Sequence, residues 1–399
     1  MNSIKEKEKD MPGQDFKNVL GIGLIGAGAR LRTVVSGLLK ESGGKIRIAA
    51  IYDPDSLSVE SVRSEFGMDW EECGSEEALV SHPGVAWVFI GSPNSQHSRQ
   101  AILALEAGRD VFCEKPLATN LKDCLAVREA VHQSGRTFAF GLVLRYSPHY
   151  QKVKELLNSG VVGEILSFEF NETISFNHGG YIFGNWRRKK AAAGSHVLEK
   201  CCHDLDLANW LVDSFPVSAA SFGGRRFFIP ENARHMKRLG VDEKGQQAYR
   251  AWPDPHGIDP FSEGADILDH QVAILEYANK ATATFHTNCN AAIPERRFYI
   301  CGAEGGLRAD MLTGRIEWRR IGHDTEIETI DTGVADGHGG GDDVMASGLA
   351  KTLLEGAAPL ASVEEGIRAC VAAFGIDRSI DEGRMIDCRS LWDACAMNY

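Results

Sequence analysis

One stretch, "NVLGIGLIGAGARL" at residues 18–31, constrains the fold more than any other part of the chain. It holds two overlapping glycine patterns, and only one of them can be the turn at which a strand becomes a helix. Gly21, Gly23 and Gly26 match G-x-G-x-x-G outright, whereas Gly26 and Gly28 begin a second copy that ends on Leu31. The run up to Ile25 is short, apolar and β-branched at several positions, so it reads as a buried strand. Gly21 and Gly23 then lie inside that strand, and the working turn is "GAGARL". Leu31, Val34, Val35, Leu38 and Leu39 continue at helical spacing.

In such a turn Gly26 permits the tight bend. Gly28 lets the backbone approach a pyrophosphate at the helix N-terminus, beside Ala29 and Arg30. The third glycine of these turns serves close packing of helix on strand, and Leu31 replaces it here. A plain strand–helix turn without a ligand therefore stays open at this point. "IRIAAIYDPD" is a second apolar strand that ends in Asp53. An acid there accepts hydrogen bonds from the adenosine ribose and repels a 2′-phosphate, so NAD is expected in preference to NADP. The competing reading of Asp53 is a cap for the helix "SLSVESVRSEF".

Three more apolar strands, "VAWVFIGSPN", "DVFCEKP" and "TFAFGLVLRY", alternate with helices. This order predicts an α/β fold, a doubly wound parallel sheet over residues 18–145. Ligands bind such sheets at the carboxyl ends of the strands. Standing there are Asp53, then Ser92, Pro93 and Asn94 with His97 behind them, then Glu114 and Lys115. Arg145, at the end of the last strand, is a candidate for contacting cofactor or substrate, with a structural ion pair as the alternative.

After Tyr146 the pattern changes. Long alternating strands ("EILSFEFNETISF", "DILDHQVAILEYA", "KATATFHTN", "RFYICG") predict a second α+β domain over residues 146–399 with a largely antiparallel sheet. A weakly patterned insertion at residues 224–263 is placed to cover a site. Within "GSHVLEKCCHDLDLANWLVDS", Leu198, Cys201, Cys202, Leu205, Ala208 and Val212 recur at helical spacing. Glu199, His203 and Asp206 then share another face of one helix. That face is either solvated or a general base held by carboxylates. One histidine and two acids lack further ligands for zinc, so no metal site is expected.

The net charge of −12, without blocks of Lys or Arg, argues against nucleic-acid or anionic-membrane partners. No apolar run reaches the roughly 18 residues of a membrane helix. Ten cysteines without C-x-x-C spacing predict free thiols in a reducing compartment. The expected location is cytoplasmic, and the charged start, residues 1–17, is expected to be a disordered leader.

"SPNSQHSRQAILALEAGRDVFCEKPLA" and "EKCCHDLDLANWL" resemble the Gfo/Idh/MocA oxidoreductases, from about residue 18 to the C-terminal helix. The resemblance implies a Rossmann domain followed by an α/β domain with an open, mostly antiparallel sheet, through which homodimers or homotetramers pack. It implies that Lys115 lies between nicotinamide and substrate before a cis bond to Pro116, and that His203 is the catalytic histidine. Glu199 stands where many members have Asp. Trp186, Arg187 and Lys200 resemble a subgroup with a more cationic pocket, and His338 in "HGGGDD" belongs to a motif of many members. The expected activity is NAD-dependent oxidation of a secondary hydroxyl on a sugar, polyol or glycoside. His203 would act as base, with Lys115 on the same oxygen. Two rivals are a glycosidase working by transient sugar oxidation with retained NAD, and a non-catalytic NAD- or sugar-sensing regulator.

Overall fold

The computed structural model describes residues 19–252, 254–333 and 337–397, so the expected leader lies outside the described residues. The first sheet has six parallel strands: β1 (Leu20–Ile25), β2 (Ile46–Tyr52), β3 (Glu71–Glu72), β4 (Trp87–Ile90), β5 (Asp110–Cys113) and β6 (Phe138–Phe140). Their order is β3-β2-β1-β4-β5-β6, with the reversal between β1 and β4 that creates a crevice at the strand ends. Both faces are covered by helices, so the strands are nearly continuous apolar runs.

Gly21 and Gly23 do lie inside β1, and they are there for packing. A Cβ on Gly21 would meet the Gly84 carbonyl oxygen at 1.9 Å, and one on Gly23 would meet Leu79 at 2.8 Å. The glycine missing at position 31 is made good from the opposite partner. Gly91, just after β4, has no Cβ where Leu31 of the helix Ala29–Ser42 arrives; one would stand 2.7 Å from the Leu31 Cβ. Close helix–strand packing is thus kept with the large and small residues exchanged.

The last strand is shorter than expected. β6 stops at Phe140, and Val143–Tyr146 form a 3₁₀ turn, so Arg145 sits beyond the strand end.

The second sheet has nine strands: β7 (Ile165–Ser175), β8 (Pro216–Gly224), β9 (His270–Tyr277), β10 (Thr282–Ala291), β11 (Arg297–Gly302), β12 (Gly305–Asp310), β13 (Arg315–Arg320), β14 (Glu328–Asp331) and β15 (Ile386–Asp387). All neighbours pair antiparallel except β7 with β10. One face packs on the helices Cys202–Val212 and Val363–Glu382, whereas Phe222, Val272, Ile274 and Tyr299 stand exposed on the other. Residues 224–263 are not patternless. Phe228, Tyr249 and Phe261 join Ile182 and Phe183 in a small second core. From that core the insertion reaches back to the first domain, where His256 Nε2 lies 3.0 Å from Asp55 Oδ2.

Candidate active site

The turn after β1 has the features of an anion seat. Gly26 has φ +83°, and a Cβ on it would meet the Ser92 amide nitrogen at 2.6 Å, so it is fixed by both conformation and space. Gly28 is different. It caps the helix Ala29–Ser42, and a Cβ there would meet nothing nearer than the Gly91 oxygen at 3.9 Å. Packing does not demand that glycine, so the open backbone at the helix N-terminus, with exposed Ala29 beside it, fits a cofactor pyrophosphate.

Asp53 closes this turn, accepting from the Ala27 amide (2.7 Å) through Oδ2 and from the Asp55 amide (2.8 Å) through Oδ1. The helix cap is Asp55, whose carboxylate accepts from the Leu57 amide. The capping role considered for Asp53 therefore belongs two residues later. Each Asp53 oxygen keeps lone-pair capacity for a ribose hydroxyl.

The other expected cofactor residues divide into rim and support. Ser92 is half-buried and Pro93 exposed at the rim. Asn94 is buried and donates to the Ala193 carbonyl (2.8 Å), tying the two domains together. His97 is a correction to the sequence reading: its ring is buried, 2.7 Å from the Pro116 carbonyl and 2.9 Å from the Ser92 carbonyl. It positions two loops rather than facing a cofactor. Arg30 bonds Glu114 (2.9 Å) and Asp342 (2.6 Å), which fixes the first helix to the helix Gly341–Glu355.

The single helix expected to carry Glu199, His203 and Asp206 on one face does not exist. A short helix, His196–Glu199, ends at Lys200, and a new one runs from Cys202 to Val212. The break parts Glu199 from His203 and Asp206, which stay on one helix but have different surroundings. Asp206 receives two hydrogen bonds from Arg145 (2.7 and 2.9 Å), both residues buried. Arg145 is thus a structural partner, and its expected role in the cleft is withdrawn. Glu199 pairs with Arg187 (3.0 Å) and with Lys115 (3.5 Å), and Lys115 also donates to the Glu199 carbonyl. The solvated alternative fails as well, since all three residues are buried.

What gathers around His203 is three cations and a second imidazole, whose own pKa burial lowers. Lys115, Arg296, His338 and Lys200 face it, and its Nδ1 is buried with no hydrogen-bond partner. Burial, reinforced by these neighbours, pushes the His203 pKa well below the usual imidazole range, so the ring is neutral at pH 7. Lys115 goes the other way. Burial opposes its charge most strongly, but Glu199 together with Cys202 and Glu114 outweighs it and the ammonium pKa is raised. Burial likewise opposes the Glu199 carboxylate, and Lys115 and Arg187 hold it down to about 2. The His338 ring lies 6.4 Å from that of His203 and 2.7 Å from Asp342 Oδ2, so the "HGGGDD" segment does approach the centre.

Sequence reasoning missed the layer beneath. Lys200 is held by Glu172 of β7 (2.9 Å), and Arg296 grips Asp204 (2.7 and 2.8 Å) and reaches Glu172 (3.2 Å). Burial opposes the Glu172 charge, yet Arg296 and Lys200 pull its pKa down. His178 was missed too; burial, then Lys200, lowers its pKa to about 2. The one visible signal was "FNET", a polar interruption in an apolar strand. Trp186 is half-buried beneath the Arg187 guanidinium, 4.4 Å from its ring centre.

Comparison with known proteins agrees with this arrangement. Residues 20–142 match the model of an oxidoreductase family described as an NAD-binding Rossmann fold, and residues 154–387 match its C-terminal alpha/beta domain. An inositol 2-dehydrogenase of Gluconacetobacter diazotrophicus is 33% identical over 52% of this chain and 58% of its own length. A 2,7-anhydro-N-acetylneuraminate hydratase of Escherichia coli is 29% identical over 66% of this chain and 61% of its own. The chain therefore spans less than two thirds of either relative. Levoglucosan dehydrogenase, solved with NADH and levoglucosan, superposes with a TM-score of 0.74 at 20% identity, covering 92% of this chain and 99% of that one. Matched across both domains, the chain belongs to the Gfo/Idh/MocA oxidoreductase family.

Proposed function

We propose that this protein is an NAD-dependent oxidoreductase acting on a secondary hydroxyl of a sugar, polyol or glycoside. The observation that carries the reading is geometric: buried His203 lies beside Lys115, whose ammonium is held 3.5 Å from Glu199, beneath the ends of the NAD-type sheet. Bound NAD supplies the hydride acceptor. His203 takes the hydroxyl proton on its imidazole. Lys115 donates to the same oxygen and stabilises the negative charge that develops there. Glu199 keeps Lys115 charged, and Arg187, Lys200 and Trp186 supply a polar wall for further hydroxyls. Asp53 supports NAD over NADP. The exposed apolar face of the second sheet supports association of like subunits. Among the described residues no helix is long and apolar enough to cross a membrane.

Nicotinamide absorbance is followed with NAD and a panel of sugars, polyols, sugar acids and aryl glycosides, with released aglycone read in the same wells. NADH accumulation supports the dehydrogenase. The similarity to anhydroneuraminate hydratases favours a second reading, transient oxidation followed by elimination, which releases aglycone without net NADH. NAD binding with neither signal would leave a non-catalytic sensor.

A further inference from the structure

We propose that residues 249–252 and 254–258 and the helix Phe176–Phe183 form a carbohydrate subsite next to the reacting centre, and that the natural substrate is a neutral glycoside whose second sugar ring stacks on Trp252 and Tyr181. The inference rests on the reading of the neighbouring site as a hydroxyl-oxidising centre and narrows its substrate class.

A cavity of about 200 Å³ lies here, lined by Tyr181, Tyr249, Arg250, Trp252, Asp254 and Ile258. The Trp252 ring sits 5.2 Å from Tyr181 and 4.5 Å from His178, and it remains 44% exposed. The half-exposed indole, with Ile258 beside it, offers an apolar face within a concave site. The apolar C–H face of a sugar ring covers it while its hydroxyls keep polar partners. Arg250 and Asp254 offer one charge of each sign, which suits neutral hydroxyls better than an anion.

The wall is connected to the chemistry. Tyr181 Oη accepts from Arg187 (3.2 Å), Arg187 donates to Glu199, and Glu199 pairs with Lys115. A ring stacked on Trp252 and Tyr181 would therefore adjoin a ring whose hydroxyl meets Lys115 and His203.

The subsite is also built rather than incidental. "FNHGGYIF" carries two glycines within a helix, where they weaken it. A Cβ on Gly179 would strike the Cys289 carbonyl oxygen at 1.8 Å, and one on Gly180 the Tyr249 oxygen at 2.0 Å. The glycines let the insertion close down on the helix. Tyr249 itself adopts φ +66°, an unfavourable conformation for a bulky residue, and the Asn177 side chain accepts from its amide (2.8 Å).

The test is titration calorimetry of NAD-loaded protein with matched pairs: methyl β-glucoside and cellobiose, methyl α-glucoside and maltose, methyl β-galactoside and lactose. NADH formation is read on the same panel. At least one disaccharide should bind about tenfold tighter than its methyl partner, the upper range for one aromatic contact. Trp252→Ala should erase most of that ratio, and Trp252→Phe should restore it. Equal affinities within every pair, or a Trp252→Ala loss shared by both members, would overturn the subsite. So would a Trp252→Ala loss of NADH affinity, which would assign the ring to the cofactor. NADH formation with equal affinities leaves the oxidoreductase reading standing alone. A Trp252-dependent disaccharide preference without NADH or aglycone release does the reverse.

Discussion

The Lys115 ammonium lies 3.5 Å from a carboxylate oxygen of Glu199, which is the strongest of the charges that raise its pKa. With Glu199 removed, burial is the largest influence left on Lys115, and it favours the neutral amine. Glu199→Gln should lower kcat by about 100-fold, the lower end of the range for lost acid–base assistance. It should also move the basic limb of the kcat–pH profile to lower pH, since less Lys115 stays protonated. The acidic limb, where His203 becomes protonated, should move upward less or not at all. A profile that keeps its shape while only its height falls would show that Glu199 does not set the Lys115 proton. Because the two bases share one site, the limbs report the pair.

His203→Asn should lower kcat/KM by roughly 10²- to 10⁴-fold, the usual cost of a lost general base. NADH affinity, measured by fluorescence titration, should change far less, because the glycine turn and Asp53 stand on another domain. Turnover close to that of the unaltered protein would remove His203 from the mechanism.

Gly91 and Leu31 carry the packing that a third glycine supplies in the more familiar turn. Gly91→Ala would press a methyl to 2.7 Å from the Leu31 Cβ and 3.1 Å from its Cδ2. Such overpacking costs about 1–3 kcal/mol. Thermal melts should show the loss in Gly91→Ala, with partial recovery in Gly91→Ala/Leu31→Gly, where the clashing Cβ is removed. If the double variant is less stable than the unaltered protein by the full sum of the two single losses, the two positions do not share one contact.

This exchange shows what the sequence could reveal and what it could not. The parallel sheet was legible because strands buried on both faces must be continuously apolar, and helices must alternate with them. The departure at Leu31 was visible, but its compensation 60 residues away was not. The same holds for the site. Glu199 and His203 were found, while the helix break between them was not, because no Gly or Pro marks Lys200 or Cys201. That break turns Glu199 away from the His203 helix, and within that helix Asp206 is taken by Arg145. Arg296 with Asp204, and Glu172 with Lys200, are ion pairs between elements far apart in sequence, and no local period encodes them.

Arg145 and Asp206 form the second testable structural pair. Both are buried, and removing one leaves the other charge without its partner, at a cost of about 3–5 kcal/mol. Asp206→Asn and Arg145→Met should each lower the melting temperature by several degrees with little change in KM for substrate. Arg145→Met/Asp206→Leu should recover much of that loss, since it buries no unpaired charge. A large KM change at unaltered stability in Arg145→Met would return this residue to the cleft.

His256 joins the insertion to Asp55, two residues from the expected ribose acceptor Asp53. A side-chain hydrogen bond to Asp55 raises the His256 pKa, with the charges of Asp55, Asp254 and Asp53 acting the same way, and the Asp55 pKa is lowered in return. For a raised pKa the sign is fixed: the contact is fully formed below the ordinary imidazole value of about 6.5 and fades as pH rises through the higher folded value. NADH dissociation, followed by stopped-flow fluorescence, should therefore quicken as pH rises through that range. The gain should be modest, within about fivefold, because an exposed pair is well screened. Added salt should mimic the rise in pH, and His256→Ala should dissociate at the fast rate throughout. A pH dependence that survives in His256→Ala would place the titrating group elsewhere in the cleft and leave His256 a surface contact.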